Sequence, residues 1–101
     1  MRLIAILNPT NKWGTKTEYT RLRVFLQQDG YLRIAPEVFM RIVPNRKGAE
    51  KHYRRIMEYA PKTGEVRLLR LTEKQYKNIY MVTGREGYQE KTVGANCQII
   101  I

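Results

Sequence analysis

The sequence predicts a single α+β domain in which two amphipathic helices cover one face of an antiparallel sheet. Three observations carry this expectation. Strand-like apolar runs and helical apolar spacing follow one another in the order β-α-β-β-α-β. A chain of 101 residues suits one hydrophobic core and leaves too little for a second. Its 43% hydrophobic residues, with seven Tyr, two Phe and one Trp, give the apolar surface that a disordered chain lacks.

Leu3-Ile4-Ala5-Ile6-Leu7 is an unbroken apolar run halted by Asn8-Pro9-Thr10-Asn11, the pattern of a central strand buried on both faces. A helix follows from about Thr15 to Asp29, with Tyr19, Leu22, Phe25 and Leu26 at three- and four-residue spacing and Gly30 as its stop. From Tyr31 to Pro44 the pattern is again extended: Val38, Met40 and Ile42 point one way, Phe39, Arg41 and Val43 the other. Pro36 has no N–H to give a ladder, so it marks a bulge or a boundary between two strand pieces.

The second helix is expected over about Arg46–Ala60, with Ala49, Tyr53, Ile56, Met57 and Ala60 as its apolar stripe and His52 at the stripe's edge in a packing role. Pro61-Lys62-Thr63-Gly64 reads as a turn and Glu65–Leu71 as a strand. Thr72 with Gln75 three positions on is a capping-box signal for a short helix. Ile79–Val82 reads as a short strand. Cys97-Gln98-Ile99-Ile100-Ile101 ends the chain as a β-prone piece that would be an aggregation hazard unless paired, across a dimer or onto a partner protein. This order matches the split βαβ, ferredoxin-like plan with an extra C-terminal strand, giving residues 1–84 as the domain and 85–101 as an extension.

Composition narrows the function. Nineteen Lys and Arg against nine Asp and Glu leave a net charge of +10, which calls for a polyanionic partner, nucleic acid first. No apolar run approaches the roughly 20 residues of a membrane span, so no membrane partner is expected. Met1-Arg2-Leu3-Ile4 opens a strand pattern rather than a signal peptide, and the expected setting is cytoplasmic. One cysteine, Cys97, excludes an internal disulfide framework and a cysteine-based zinc cluster. The glycines of Thr83-Gly84-Arg85-Glu86-Gly87 lack phosphate-loop spacing, and no nucleophile-base or paired-carboxylate constellation stands out.

Basic residues do cluster. Lys12 and Lys16 flank Trp13 after the first strand, Arg46-Lys47 opens the second helix, and Lys51, Arg54 and Arg55 continue along it. Cations at a helix start oppose its dipole, so Arg46 and Lys47 do not serve helix stability. They suit a phosphate, or belong to a solvated face that Glu50 and Glu58 partly neutralise. Arg33, Arg41, Arg67 and Arg70 fall on strands. Phe39 and Tyr80 alone do not make the aromatic sheet face of single-strand RNA modules, which favours phosphate tracking on duplex.

Pro61 to Gly84, with its lysine-glycine turn, leucine-rich strand and Thr-Glu-Lys-Gln-aromatic run, resembles the CRISPR-associated (Cas) protein two family in its type II form. Pro9-Thr10, Tyr19-x-x-Leu22-Arg23-x-Phe25-Leu26, Gly30-Tyr31 and the terminal Cys97–Ile101 extend the likeness along the chain. The resemblance implies a ferredoxin-like homodimer that bridges dimers of the CRISPR integrase and lays duplex prespacer DNA on a basic surface. Contacts would come from Lys12, Lys16, Arg46, Lys47, Arg54, Arg55 and Arg85, and Cys97, Gln98, Ile99, Ile100 and Ile101 would form the docking strand. It also implies a Mg²⁺-dependent nuclease resting on an Asp at the end of the first strand. Here that position falls at Asn8, whose amide is a neutral oxygen donor where Mg²⁺ prefers a carboxylate. An architectural role needs no cofactor. A metal-dependent endonuclease, or a related toxin-type ribonuclease, is the rival reading and would call for Mg²⁺.

Overall fold

A computed structural model describes residues 1–9 and 15–83. Among them the elements are β1 (Arg2–Asn8), α1 (Thr15–Gln28), β2 (Leu32–Ala35), β3 (Val38–Ile42), α2 (Arg46–Glu58), β4 (Glu65–Leu71) and α3 (Glu73–Lys77). The four strands form one antiparallel sheet in the order β2-β3-β1-β4. This is the α+β, ferredoxin-like arrangement expected from the pattern of elements. Lys12, Arg85 and the terminal piece Cys97–Ile101 lie outside the described residues.

Local chemistry ends the elements where the sequence says it should. At the end of α1 the Gly30 N–H reaches Gln27 O and the Tyr31 N–H reaches Leu26 O, and Gly30 has φ 92°. These two bonds make a Schellman stop, closed by the Leu26 and Tyr31 side chains in the core. Pro36 lies in the turn between β2 and β3, with the register shift between Arg33 and Ala35 just before it. Asn45 caps α2 by accepting from the Gly48 N–H at 2.9 Å. Thr72 and Gln75 form the reciprocal capping box of α3.

Directly opposed residues in an antiparallel ladder share a face. Leu3, Ala5 and Leu7 of β1 and Phe39 of β3 therefore look toward the helices, where they pack with Tyr19, Leu22 and Leu26 of α1 and Ala49 and Ile56 of α2. The opposite face holds Ile4 and Met40, covered in part by Tyr76 of α3. Arg2, buried on that face, pins α3: its guanidinium makes two bonds to Glu73, at 2.8 and 3.2 Å, and lies 3.8 Å from the Tyr76 ring centroid.

Three expectations need correction. β1 is central, but Ile6 on its second face is 37% exposed, because α3 is too short to cover that face. The buried stripe of α2 is Ala49, His52 and Ile56; of the residues expected in the core, Tyr53 and Met57 are half exposed and Ala60, beyond the end of the helix, is exposed. The sheet ends at β4, so the side of α2 that carries Tyr53 and Met57 overhangs its edge and lines a groove with Val66, Leu68 and Arg70. Ile79–Val82 forms no strand. β propensity does not make a strand without a ladder partner, and none of the described strands pairs with this run.

Candidate nucleic-acid interface

The outer side of α2 carries a line of cations. Arg46 and Lys47 occupy its first turn, which contains no acidic residue, and Lys51 and Arg54 continue it; all four are exposed. Lys47, Lys51 and Arg54 stand at i, i+4 and i+7, which places them on one stripe of the helix. None of the four makes an ion pair with a described residue. Four carboxylates are engaged elsewhere: Glu73 by Arg2, Glu37 by Arg23 at 2.8 Å, Asp29 by Arg55 at 2.9 Å and Glu65 by Arg67 at 2.8 Å, while Glu50 and Glu58, exposed on α2 itself, form no ion pair with a described residue. Lys16 is exposed in the first turn of α1.

Arg55 stands apart from this line. It donates to Asp29 Oδ1, while His52 Nδ1 lies 2.8 Å from Asp29 Oδ2. Arg41 adds a bond to the Asp29 backbone oxygen. The chain's one Asp, at the capping position of α1, thus holds its one His, on α2, with a side chain only 7% exposed. Tyr31 meets the His52 ring edge-on at 6.0 Å between centroids. Burial, reinforced by the Asp29 charge and opposed by Arg41 and Arg55, pushes the Tyr31 hydroxyl up to about 12. Sequence reasoning placed His52 at a boundary and missed this network. The signal available was an unmatched Asp beside a helix stop and a His among the apolar positions of the next helix. The network ties α2 to the α1–β2 corner and so sets the direction in which the cationic stripe faces.

Asn8 lies exposed at the end of β1, directly across the ladder from Glu65. Glu65 Oε2 accepts from Arg67 at 2.8 Å. No group of three or more His, Cys, Asp or Glu that could hold a metal occurs among the described residues. Mg²⁺ is held through one or two carboxylates with its remaining water. Asn8 and an arginine-bound Glu65 are a poor fit for it, and no hydrolytic step follows from these two side chains. The turn beyond them is fixed from α1: Tyr19, wholly buried, donates its hydroxyl to Thr63 O at 2.9 Å. Gly64 has φ 74°, and a Cβ there would lie 2.4 Å from the Tyr19 hydroxyl and 2.7 Å from Asn8 O.

No helix of the described residues is long and apolar enough to cross a membrane. No protein-family model matches the chain. Curated relatives do. A CRISPR-associated endoribonuclease Cas2 of Acidovorax ebreus (strain TPSY) is 35% identical over 96 residues, which is 94% of this chain and 94% of that protein. The Cas2 of Ligilactobacillus salivarius (strain UCC118) is 34% identical over 87 residues, 85% and 86% of the two chains. That of Lacticaseibacillus rhamnosus (strain ATCC 53103 / LMG 18243 / GG) is 32% identical over the same length. With an α+β sheet of the expected order and identity spread over nearly its whole length, this chain belongs to the CRISPR-associated Cas2 family.

Proposed function

We propose that the chain is an architectural, duplex-binding subunit of type II CRISPR adaptation: a cytoplasmic prokaryotic homodimer that bridges integrase dimers and carries prespacer DNA. The stripe Arg46, Lys47, Lys51 and Arg54, without an ion pair among the described residues, is the observation that carries this reading. From Arg46 to Arg54 it runs about 12 Å along the helix axis, against a duplex that carries a charge every 1.7 Å or so. Lys16 and, beyond the described residues, Lys12 and Arg85 would extend the surface, while Arg55 would contribute only on leaving Asp29. The second subunit would lie on the open sheet face, where Ile6, Ile42 and Leu69 are 37–47% exposed on neighbouring strands. The terminal strand Cys97–Ile101 would dock within the dimer or on the integrase.

Duplex affinity measured against salt tests the reading. The Arg46→Glu/Lys47→Glu variant should bind more weakly, with a log–log salt slope lower by about 1.8, roughly 0.9 per lost phosphate contact. An unchanged slope removes these residues from the interface. The name of the relatives favours a second reading, cleavage of RNA. Under it, purified protein with Mg²⁺ or Mn²⁺ should cut RNA, and Asn8→Ala should abolish the cutting. Such a result would replace the architectural reading.

A further inference from the structure

A second feature of the helix layer lies away from the cationic stripe of α2. Phe25 of α1 and Tyr59, the residue that ends α2, stack with ring centroids 4.1 Å apart and planes 13° from parallel. An aromatic pair that only filled the core would be enclosed. Here Tyr59 remains 38% exposed and its neighbour Val24 46%. The two rings border an open hollow of about 270 Å³ whose other walls are Thr20, Arg21, Val24 and Gln28. Arg21 is the one charged residue of that lining and makes no ion pair with a described residue. The hollow therefore combines an apolar floor, an aromatic surface held flat by its stacking partner, an amide and a guanidinium without an ion pair among the described residues.

We propose that this hollow binds an unpaired nucleotide of single-stranded nucleic acid, its base against the Phe25–Tyr59 pair and its phosphate on Arg21. Base–aromatic stacking tolerates any base, because each has a π face, and a cation beside the platform takes the backbone. Holding Tyr59 against Phe25 before the ligand arrives removes part of the ordering cost of binding. The Gln28 amide offers both a donor and an acceptor to a base edge. Thr20, by contrast, spends its hydroxyl on Lys16 O at 2.8 Å, so it is a wall and not a reader. The proposal extends the nucleic-acid reading but does not depend on the duplex surface of α2.

The test uses the full chain at one fixed salt concentration and three labelled probes: oligouridine, oligothymidine and a blunt duplex. Tyr59→Leu keeps an apolar side chain and removes the π face, so binding of the single strands should weaken about tenfold or more. Tyr59→Phe should bind like the wild type, and duplex affinity should stay within a factor of about two in both variants, since duplex bases are not free to stack on a side chain. The uridine and thymidine arms decide between RNA and DNA as the natural strand. Wild-type protein irradiated with a 5-iodouridine strand should crosslink in the tryptic peptide Ile56–Lys62. Equal single-strand binding by wild type and Tyr59→Leu, an equal loss of duplex binding, or crosslinks found in neither Ile56–Lys62 nor the Phe25 peptide Val24–Arg33 would each overturn the site. Unchanged duplex binding and salt slope in Arg46→Glu/Lys47→Glu, with the Tyr59 effect intact, would sink the architectural reading's interface and leave this site standing.

Discussion

Replacing Asp29 with Ala removes the acceptor shared by His52 and Arg55 and should destabilise the fold mainly through His52. The asymmetry follows from burial. The Arg55 side chain is 42% exposed and can take water in place of Asp29, so its share is about 0–1 kcal/mol. The His52 side chain is 7% exposed and cannot, and leaving a buried polar group without its partner costs about 1–3 kcal/mol. A relief works in the other direction. Asp29 puts a negative charge at the carbonyl end of α1, whose last turn holds no basic residue, and removing it returns about 0.3–1 kcal/mol. The net cost is about 2 kcal/mol, which for a domain of this size lowers Tm by about 8–16 °C. Thermal unfolding at one protein concentration measures it, beside an Arg55→Ala control expected to cost under about 1 kcal/mol. If Asp29→Ala melts with the wild type, or no lower than Arg55→Ala, the network does not hold α2 through His52.

Other perturbations give equally direct outcomes. Gly64→Ala meets both a positive φ and the close approach of Asn8 O and the Tyr19 hydroxyl, so urea unfolding should show a loss of at least about 1–3 kcal/mol. The hydrogen bond from Arg2 holds the Glu73 carboxyl below its ordinary 4.5, against a smaller opposing effect of burial. Its stabilisation is therefore complete above pH 4.5 and fades as acid carries the pH down through the depressed folded value. Glu73→Gln should flatten that part of the acid limb of a stability–pH curve, and a limb identical to wild type would show that α3 is not held this way. Leu69→Glu puts a charge in the middle of the open sheet face, and sedimentation should show a monomer; a persistent dimer would move the interface elsewhere.

Much of the fold was legible because its signals are short-range. The Gly30 stop, the Thr72 cap and the turn at Gly64 are each decided by residues within a few positions, and the apolar period told strand from helix. The same short-range logic misjudged Ile79–Val82, whose β propensity had no ladder to join among the described strands. For the candidate site, the sequence supplied the excess of cations and their spacing along α2. It did not say which were free. Arg55 and Arg54 are neighbours in the chain, yet Asp29, arriving from α1, bonds to Arg55 and leaves Arg54 unpaired among the described residues.

The sequence by itself determined the α+β plan, the family likeness and a positive surface, because composition and period survive without knowledge of neighbours. Only the tertiary structure decided which sides of that plan are covered. With β4 at the edge of the sheet, Ile56 is buried and Tyr53 is not, though both belong to one apolar stripe. Where α1 meets the end of α2, Phe25 and Tyr59, 34 residues apart in the chain, come to share one stack. The physical reason is the same in both places: helical period fixes the direction a side chain points, and the extent of the packed partner fixes what it meets there.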